Sequence, residues 1–361
     1  MTPLRIAAHI SAAEWGGAER RSLAFLSGLA RRGHDIVVYC NTERIAAKAR
    51  EAGLTAVISP LRGDVMVGNA IALAARLRRQ RPDVLLLITF RRLLLGALAG
   101  RLARVPRIIS RVGLASDVAR SAKYRFVLRR WVDDVVVNAE SLRAPFTASL
   151  PPDARVRVHV IPNGVAARAA DMTRGEARAS LGVPGDAFVI GTVARLVKQK
   201  RLDRLIEATA ALDDVHAVIA GDGYQRQQLE QLAESIGISE RVHFAGHRED
   251  IGNVHRALDV YVVSSDQEGM SSGMLEAMAA GLPVVSTAVS GAVEALESEP
   301  RCGIVTPFDP SAIAQAVRSL QDSELRDTYG RAAAAAARTR YAFETMVDRW
   351  ETLLHVASAD R

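Results

Sequence analysis

Thirteen short runs of β-branched and aliphatic residues alternate with longer helix-patterned stretches along the chain, and this alternation leaves few folds open. Strands separated by helices cannot pair through tight hairpins, so each connection must be a crossover and each sheet parallel. In the first half the runs fall at 5–10, 35–40, 56–60, 84–89, 107–111, 133–139 and 158–161, with helical stretches such as 18–32, 68–80 and 118–131 between them. The second half repeats the form at 188–194, 215–220, 242–245, 259–265, 283–286 and 303–306. Their continuous apolar character suits strands covered by helices on both faces.

The best boundary between the two sets is the segment Ile161-Pro162-Asn163-Gly164-Val165, after which polar residues precede a fresh set of strands. Two Rossmann-like α/β/α domains are therefore expected, spanning 1–165 and 166–340, with ligands at the carboxyl ends of the strands in an interdomain cleft. A chain of 361 residues is long enough for both. The tail 323–357 is helical in pattern; its last part, 341–357, carries an apolar stripe of Phe343, Met346, Trp350, Leu353 and Leu354.

Composition excludes several classes. The longest apolar stretch, near 84–99, is interrupted by Arg91 and Arg92, so no membrane span is expected. Cys40 and Cys302 have neither metal nor redox spacing, which points to a reducing compartment. Met1–Pro3 leads straight into an apolar run, so no signal peptide and a cytoplasmic location are expected. The net charge of +7 conceals a split: residues 1–170 hold 28 basic against 12 acidic side chains, a charge of +16, and the remainder carries −9. Of the 47 basic residues only Lys48, Lys123, Lys198 and Lys200 are lysine.

Two of those lysines stand in Arg195-Leu196-Val197-Lys198-Gln199-Lys200, directly after the run at 188–194. Compact cations at the carboxyl end of a strand suit a phosphate. The run at 259–265 leads into a turn containing Glu268, Gly269, Met270, Ser271, Ser272 and Gly273, and then a helix carrying Glu276. Glycine and serine there let backbone N–H groups approach an anion, while carboxylates accept hydrogen bonds from sugar or ribose hydroxyls. Near the N-terminus, Trp15-Gly16-Gly17-Ala18-Glu19-Arg20 is another glycine turn feeding a helix. Neither it nor Gly221-Asp222-Gly223 completes G-x-G-x-x-G, which disfavours a dinucleotide dehydrogenase.

In this order and spacing the motifs resemble those of the retaining glycosyltransferases of family 4 (glycosyl transferases group 1). The resemblance rests on Gly16 to Arg20, Ile161 to Val165, Gly191 to Lys200, Ala220 to Gly223, and the pair Glu268 and Glu276. It implies the GT-B architecture, an α/β fold of two Rossmann-like domains with a helix crossing back to the first. It also implies a hexosyltransferase-type enzyme that uses a nucleoside-diphosphate-sugar donor and no cofactor. By the same resemblance, Arg195 and Lys200 hold the diphosphate, Glu268 the donor sugar and Glu276 the ribose. Gly269, Met270, Ser271 and Ser272 offer backbone N–H groups, and Gly16 and Gly17 close over the donor from the first domain. The segment 161–165 is expected to act as one pivot of that closure. Retention in this family is thought to need no protein nucleophile, so Glu268 is cast as a sugar binder. No D-x-D pair is present, and a metal-independent reaction is expected.

The sequence departs from the family pattern where many relatives carry a histidine at the end of a first-domain strand. Here the run ends in Arg111-Val112-Gly113. Arg111 either contacts substrate in its place or lines a basic face; His9 either points into the cleft or is structural. The segment 101–130 holds nine basic residues and one acid, Asp117, with Tyr124, Phe126 and Trp131 interleaved. Such a helix either meets an anionic membrane surface bearing a lipid-linked acceptor or packs its rings inward. The acceptor is thus expected to be a saccharide or lipid-linked, in bacterial cell-surface polysaccharide or glycolipid synthesis at the inner face of the membrane. No nucleic-acid module is present. A nucleotide-sugar 2-epimerase of the same architecture and a non-catalytic nucleotide-sugar-binding partner are the alternatives.

Overall fold

Residues 2–12, 15–63, 66–113 and 122–356 are described by a computed structural model, in which the apolar runs form thirteen strands. The first seven are β1 (Arg5–Ile10), β2 (Asp35–Cys40), β3 (Thr55–Ile58), β4 (Val84–Leu87), β5 (Arg107–Val112), β6 (Asp134–Val137) and β7 (Arg157–Val160). The other six are β8 (Phe188–Val193), β9 (Val215–Ala220), β10 (Val242–Gly246), β11 (Val260–Val263), β12 (Val284–Thr287) and β13 (Gly303–Thr306). Several expected runs lose residues at their ends: the segment 259–265 pairs only over β11, because Ser264 and Ser265 turn their hydroxyls to loop partners.

The chain divides into two compact units, Met1–Pro162 with Phe343–Arg361, and Asn163–Ala342. All strand pairs are parallel, in the orders β3-β2-β1-β4-β5-β6-β7 and β10-β9-β8-β11-β12-β13. In each sheet the order reverses once, between β1 and β4 and between β8 and β11. Such a switch point opens a crevice at the strands' carboxyl ends, because the flanking connections leave to opposite faces.

Residues 163–165, expected with the first domain, belong to the second unit. Asn163 is bonded to the Met270 carbonyl at 2.7 Å, and Val165 pairs with Ala342 while its N–H donates to the Tyr341 carbonyl at 2.8 Å. The same contacts interrupt the expected helical tail. Helix Ser323–Thr339 ends, Tyr341 is buried in the second core, and a new helix, Phe343–Val356, starts two residues later than expected. Residue 357 lies outside the described residues. The Phe343–Val356 helix packs in the first unit, with Met346, Val347, Trp350, Leu353 and Leu354 in the same core as β1 and helix Gly17–Arg31. Trp350 meets Phe25 at 4.8 Å between ring centroids, and Arg32 donates to Glu344 and Glu351, each at 2.8 Å.

Beneath that helix lies a buried ion cluster. The Arg107 guanidinium donates to Asp134 at 2.6 Å and to the Leu353 carbonyl at 2.7 Å. Arg157 and His159 reach the same carboxylate at 2.9 and 2.8 Å. An arginine at a helix C-terminus satisfies carbonyls that have no intrahelical partner.

Candidate functional site

In the second unit the switch point between β8 and β11 carries the charged loops. Thr192, Val193, Ala194 and Lys200 line one side of a pocket; Tyr261, Ser264, Ser265, Glu268 and Ser271 line the other. Gly221 and Gly223 brace the first loop. A Cβ on Gly221 would lie 1.9 Å from the Ala194 carbonyl oxygen, and one on Gly223 would lie 2.3 Å from that of Leu196. Only glycine allows the turn after β9 to lie against the loop after β8, where the Leu196 N–H donates to the Asp222 carbonyl at 3.0 Å.

Lys200 Nζ donates to Glu268 Oε1, and Ser265 Oγ donates to the same oxygen at 3.0 Å. Two residues expected to serve the donor thus neutralise each other across the switch point. Further bonds fix the loops together: Ser264 Oγ to the Lys200 carbonyl at 3.0 Å, and Gln199 Nε2 to the Gln267 carbonyl at 2.7 Å. Arg204 holds Asp266 at 2.7 Å. The Arg195 side chain, by contrast, is exposed and makes no hydrogen bond or ion pair with any described residue, while its carbonyl accepts from the Val197 N–H at 2.9 Å. Arg195 and Lys198 are the cations of this loop whose side chains have no partner among the described residues.

The turn after β11 supplies the amides. Helix Ser272–Ala279 starts at Ser271 with no side chain capping it. The N–H groups of Gly269, Met270 and Ser271 donate to no described residue, and consecutive amides of this kind form a concavity for an anion. Met270 is buried as a whole, with its side chain in the core. Gly273 is glycine because its Cβ would lie 2.2 Å from the Tyr261 hydroxyl. That hydroxyl accepts from the Val193 N–H at 3.1 Å and is pushed up to about 12 by burial, so it stays a neutral brace. Glu276 sits one turn into the helix; it does not line the pocket, and its Oε1 lies 3.5 Å from Arg168 Nε. The alternation of apolar runs had no means of marking Asn163, Arg168, Ser265 or Tyr261. Each acts through one polar atom that meets a partner distant in sequence.

In the first unit the expected residues are spread. Gly16 is the N-cap of helix Gly17–Arg31, with extended backbone and no side-chain cap. A Cβ there would meet only the flexible Glu19 carboxylate, at 3.3 Å, and one on Gly17 only Arg21, at 3.9 Å. Protein packing therefore does not demand either glycine, which leaves room beside that helix start. His9 and Arg111 lie on opposite faces of the sheet: strand alternation puts His9 with Ala7 and Arg111 with Ile109, in separate cores. His9 is buried and its Nε2 lies 3.0 Å from the Ser59 carbonyl; burial pushes its pKa down to about 4. Its ring is held against backbone. Burial, with the nearby Arg21 charge, lowers Arg111 to about 10.

Two parallel-sheet units, each with one switch point, define a two-domain α/β protein of Rossmann-like sheets. More specifically, the model of glycosyl transferases group 1 matches residues 173–336 and that of glycosyltransferase family 4 matches 15–168, and the chain belongs to this family. Among relatives, the lipopolysaccharide core biosynthesis glycosyltransferase LpsD of Rhizobium meliloti (strain 1021) is 31% identical over 205 residues, 56% of this chain and 59% of that protein. LpsE of the same strain is 43% identical over 114 residues, 32% of this chain and 34% of that one. The matched parts thus span less than two thirds of either relative's length. The crystal structure of Anabaena Alr3699/HepE in complex with UDP and glucose is similar over 97% of this chain and 99% of that one, with a TM-score of 0.84 and 22% identity. WaaG, a glycosyltransferase involved in lipopolysaccharide biosynthesis, gives 0.72 at 21% identity, covering 97% and 99%. The fold is GT-B.

Proposed function

We propose that this protein transfers a sugar from a nucleoside-diphosphate-sugar to an acceptor hydroxyl, with retention at the anomeric carbon and without a metal ion. The observation that carries this reading is the pocket at one switch point that the Lys200–Glu268 pair and Ser271 line together, with Arg195 and the turn residues Gly269 and Met270 in the same two loops. A UDP-bound neighbour of the same fold is in keeping with it. The bond from the anomeric carbon to the diphosphate oxygen breaks, its electron pair staying on the diphosphate. The acceptor oxygen bonds that carbon from the same face, and its proton passes to the departing oxygen. Charge builds on the leaving diphosphate, so fixed cations and amides aimed at it lower the barrier. Arg195 and Lys200 meet that charge; Lys200 exchanges part of its bond to Glu268 for phosphate, and Glu268 turns to sugar hydroxyls. Glu276 takes the ribose.

A screen of the purified chain against UDP-, GDP- and ADP-sugars tests this. One donor should raise stability by about 2.7 kcal/mol at a hundred times its Kd and be turned over only with acceptor. Epimerised sugar without acceptor would indicate the 2-epimerase instead, and no stabilisation by any donor would refute the reading.

For the acceptor, relatives named for lipopolysaccharide core synthesis favour a saccharide or lipid-linked substrate at a membrane surface. On helix Ala122–Arg130, the described part of which ends one residue before the expected 131, Lys123, Arg125, Phe126, Arg129 and Arg130 are exposed while Val127 and Leu128 are buried. Residues 118–121 lie outside the described residues. Phe126, 49% exposed among these cations, suits a headgroup-level contact. Co-sedimentation with vesicles should be strong for anionic lipid at low salt and weak for neutral lipid. Equal binding to both, or to neither, would count against the membrane contact.

A further inference from the structure

Asn163 stands in the segment that joins the two sets of strands, yet it is 1% exposed and bonded into the loop after β11. Its Nδ2 donates to the Met270 carbonyl at 2.7 Å, across 107 residues of sequence. One residue earlier, the Gly269 carbonyl accepts the Gly291 N–H at 3.2 Å. That approach needs glycine at 291, where a Cβ would lie 2.3 Å from the same carbonyl oxygen. Two successive carbonyls of the turn are therefore held on the protein side.

A trans peptide is planar, so its carbonyl and the following N–H point in opposite directions. The described residues hold a cis bond only at Glu299–Pro300. Fixing the Met270 carbonyl on Asn163 therefore directs the Ser271 N–H away from Asn163, and that N–H donates to no described residue. Ser271 itself lines the pocket with Lys200 and Glu268. Without the amide of Asn163 the peptide would be free to turn and offer a carbonyl, which repels an anion.

We infer that Asn163 is a positioning residue that sets the Met270–Ser271 peptide with its N–H toward the donor diphosphate, so that the segment joining the two sets of strands is wired to the donor site. This rests on the donor-site reading above. It also gives the asparagine of the segment 161–165 a role that a linker does not require.

The test is titration of inorganic pyrophosphate, which needs no knowledge of the base or sugar, into the full chain by calorimetry. Asn163→Ala should weaken pyrophosphate roughly 10- to 100-fold, the range of a hydrogen bond to a charged group. Ser271→Pro removes the same N–H directly; Ser271 has φ −66°, which proline adopts, so the fold should be kept. It should weaken pyrophosphate to a similar degree, and the double variant should be no weaker than Ser271→Pro alone. A merely structural asparagine would instead add its loss to that of Ser271→Pro. Additive effects, or unchanged affinity in Ser271→Pro whatever the behaviour of Asn163→Ala, would overturn the inference. Lys200→Ala separates the two levels: if it too leaves pyrophosphate binding unchanged, or the unaltered protein binds none, the donor-site reading fails with it. If Lys200→Ala alone weakens binding, only the inference fails.

Discussion

Replacing Lys200 with alanine is expected to lower kcat by roughly 10²- to 10³-fold, the usual loss when one preorganised donor to a developing anion is removed. Two effects act in the same direction. The leaving diphosphate loses a cation, and Glu268, whose side chain is 11% exposed, keeps Ser265 but loses its counter-charge beside the phosphate path. Lys198 provides the control. It is exposed in the same loop, its side chain has no partner among the described residues, and its replacement by alanine should change turnover little. Steady-state kinetics of the two variants with the donor found by screening decide the matter. Comparable losses in both would mean that loop charge in general, and not the position of Lys200, is what counts; full activity in Lys200→Ala would remove the donor-site assignment.

The largest stability effect is expected at Asp134. Its side chain is fully buried, and Arg107, 6% exposed, depends on it for a counter-charge while holding the last carbonyls of helix Phe343–Val356. Asp134→Asn should destabilise the protein by about 3–5 kcal/mol, since it leaves a buried guanidinium without its anion. Burial alone would raise the Asp134 pKa, but hydrogen bonds from His159, Arg107 and Arg157 outweigh it and hold the carboxyl well below the usual range. A carboxylate depressed in the folded state stabilises fully above its unfolded value, near 3.9, and that contribution is lost as pH falls below it. His9 and His255 are pushed down to about 4 by burial. The folded chain refuses the proton that the unfolded chain accepts, so both variants lose stability from about pH 6.5 downward. Denaturant unfolding of both proteins should therefore run parallel from pH 7 to about 4 and converge below it. A difference under about 1 kcal/mol at pH 7 would mean that the cluster behaves as an exposed ion pair.

Much of the fold was legible because parallel sheets covered on both faces write themselves as local apolar runs. β1, β2, β9 and β13 appear at the expected residues. The loop cations and the turn from Glu268 to Ser272 were also legible, since a strand followed by glycine, serine or lysine is a local pattern. The end of the tail was not. Nothing in the helix-favouring run around Ala332–Ala337 tells that Tyr341 will leave the helix for the second core. Nor does a lone His9 reveal that its ring faces the Ser59 carbonyl, because the partner lies 50 residues away.

By itself the sequence determined the order of strands and helices, the parallel character of both sheets, and which residue types stand at the strand ends. Period-2 and period-3.6 burial acts over a few residues and needs no knowledge of the rest of the chain. Only the tertiary structure decided which strand ends meet. The reversal between β8 and β11 brings Lys200 to Glu268 across 68 residues, and the start of the second unit brings Asn163 to Met270. Hydrogen bonds and ion pairs are short-range and directional. They are set by strand order and loop packing, which residue spacing along one chain does not encode.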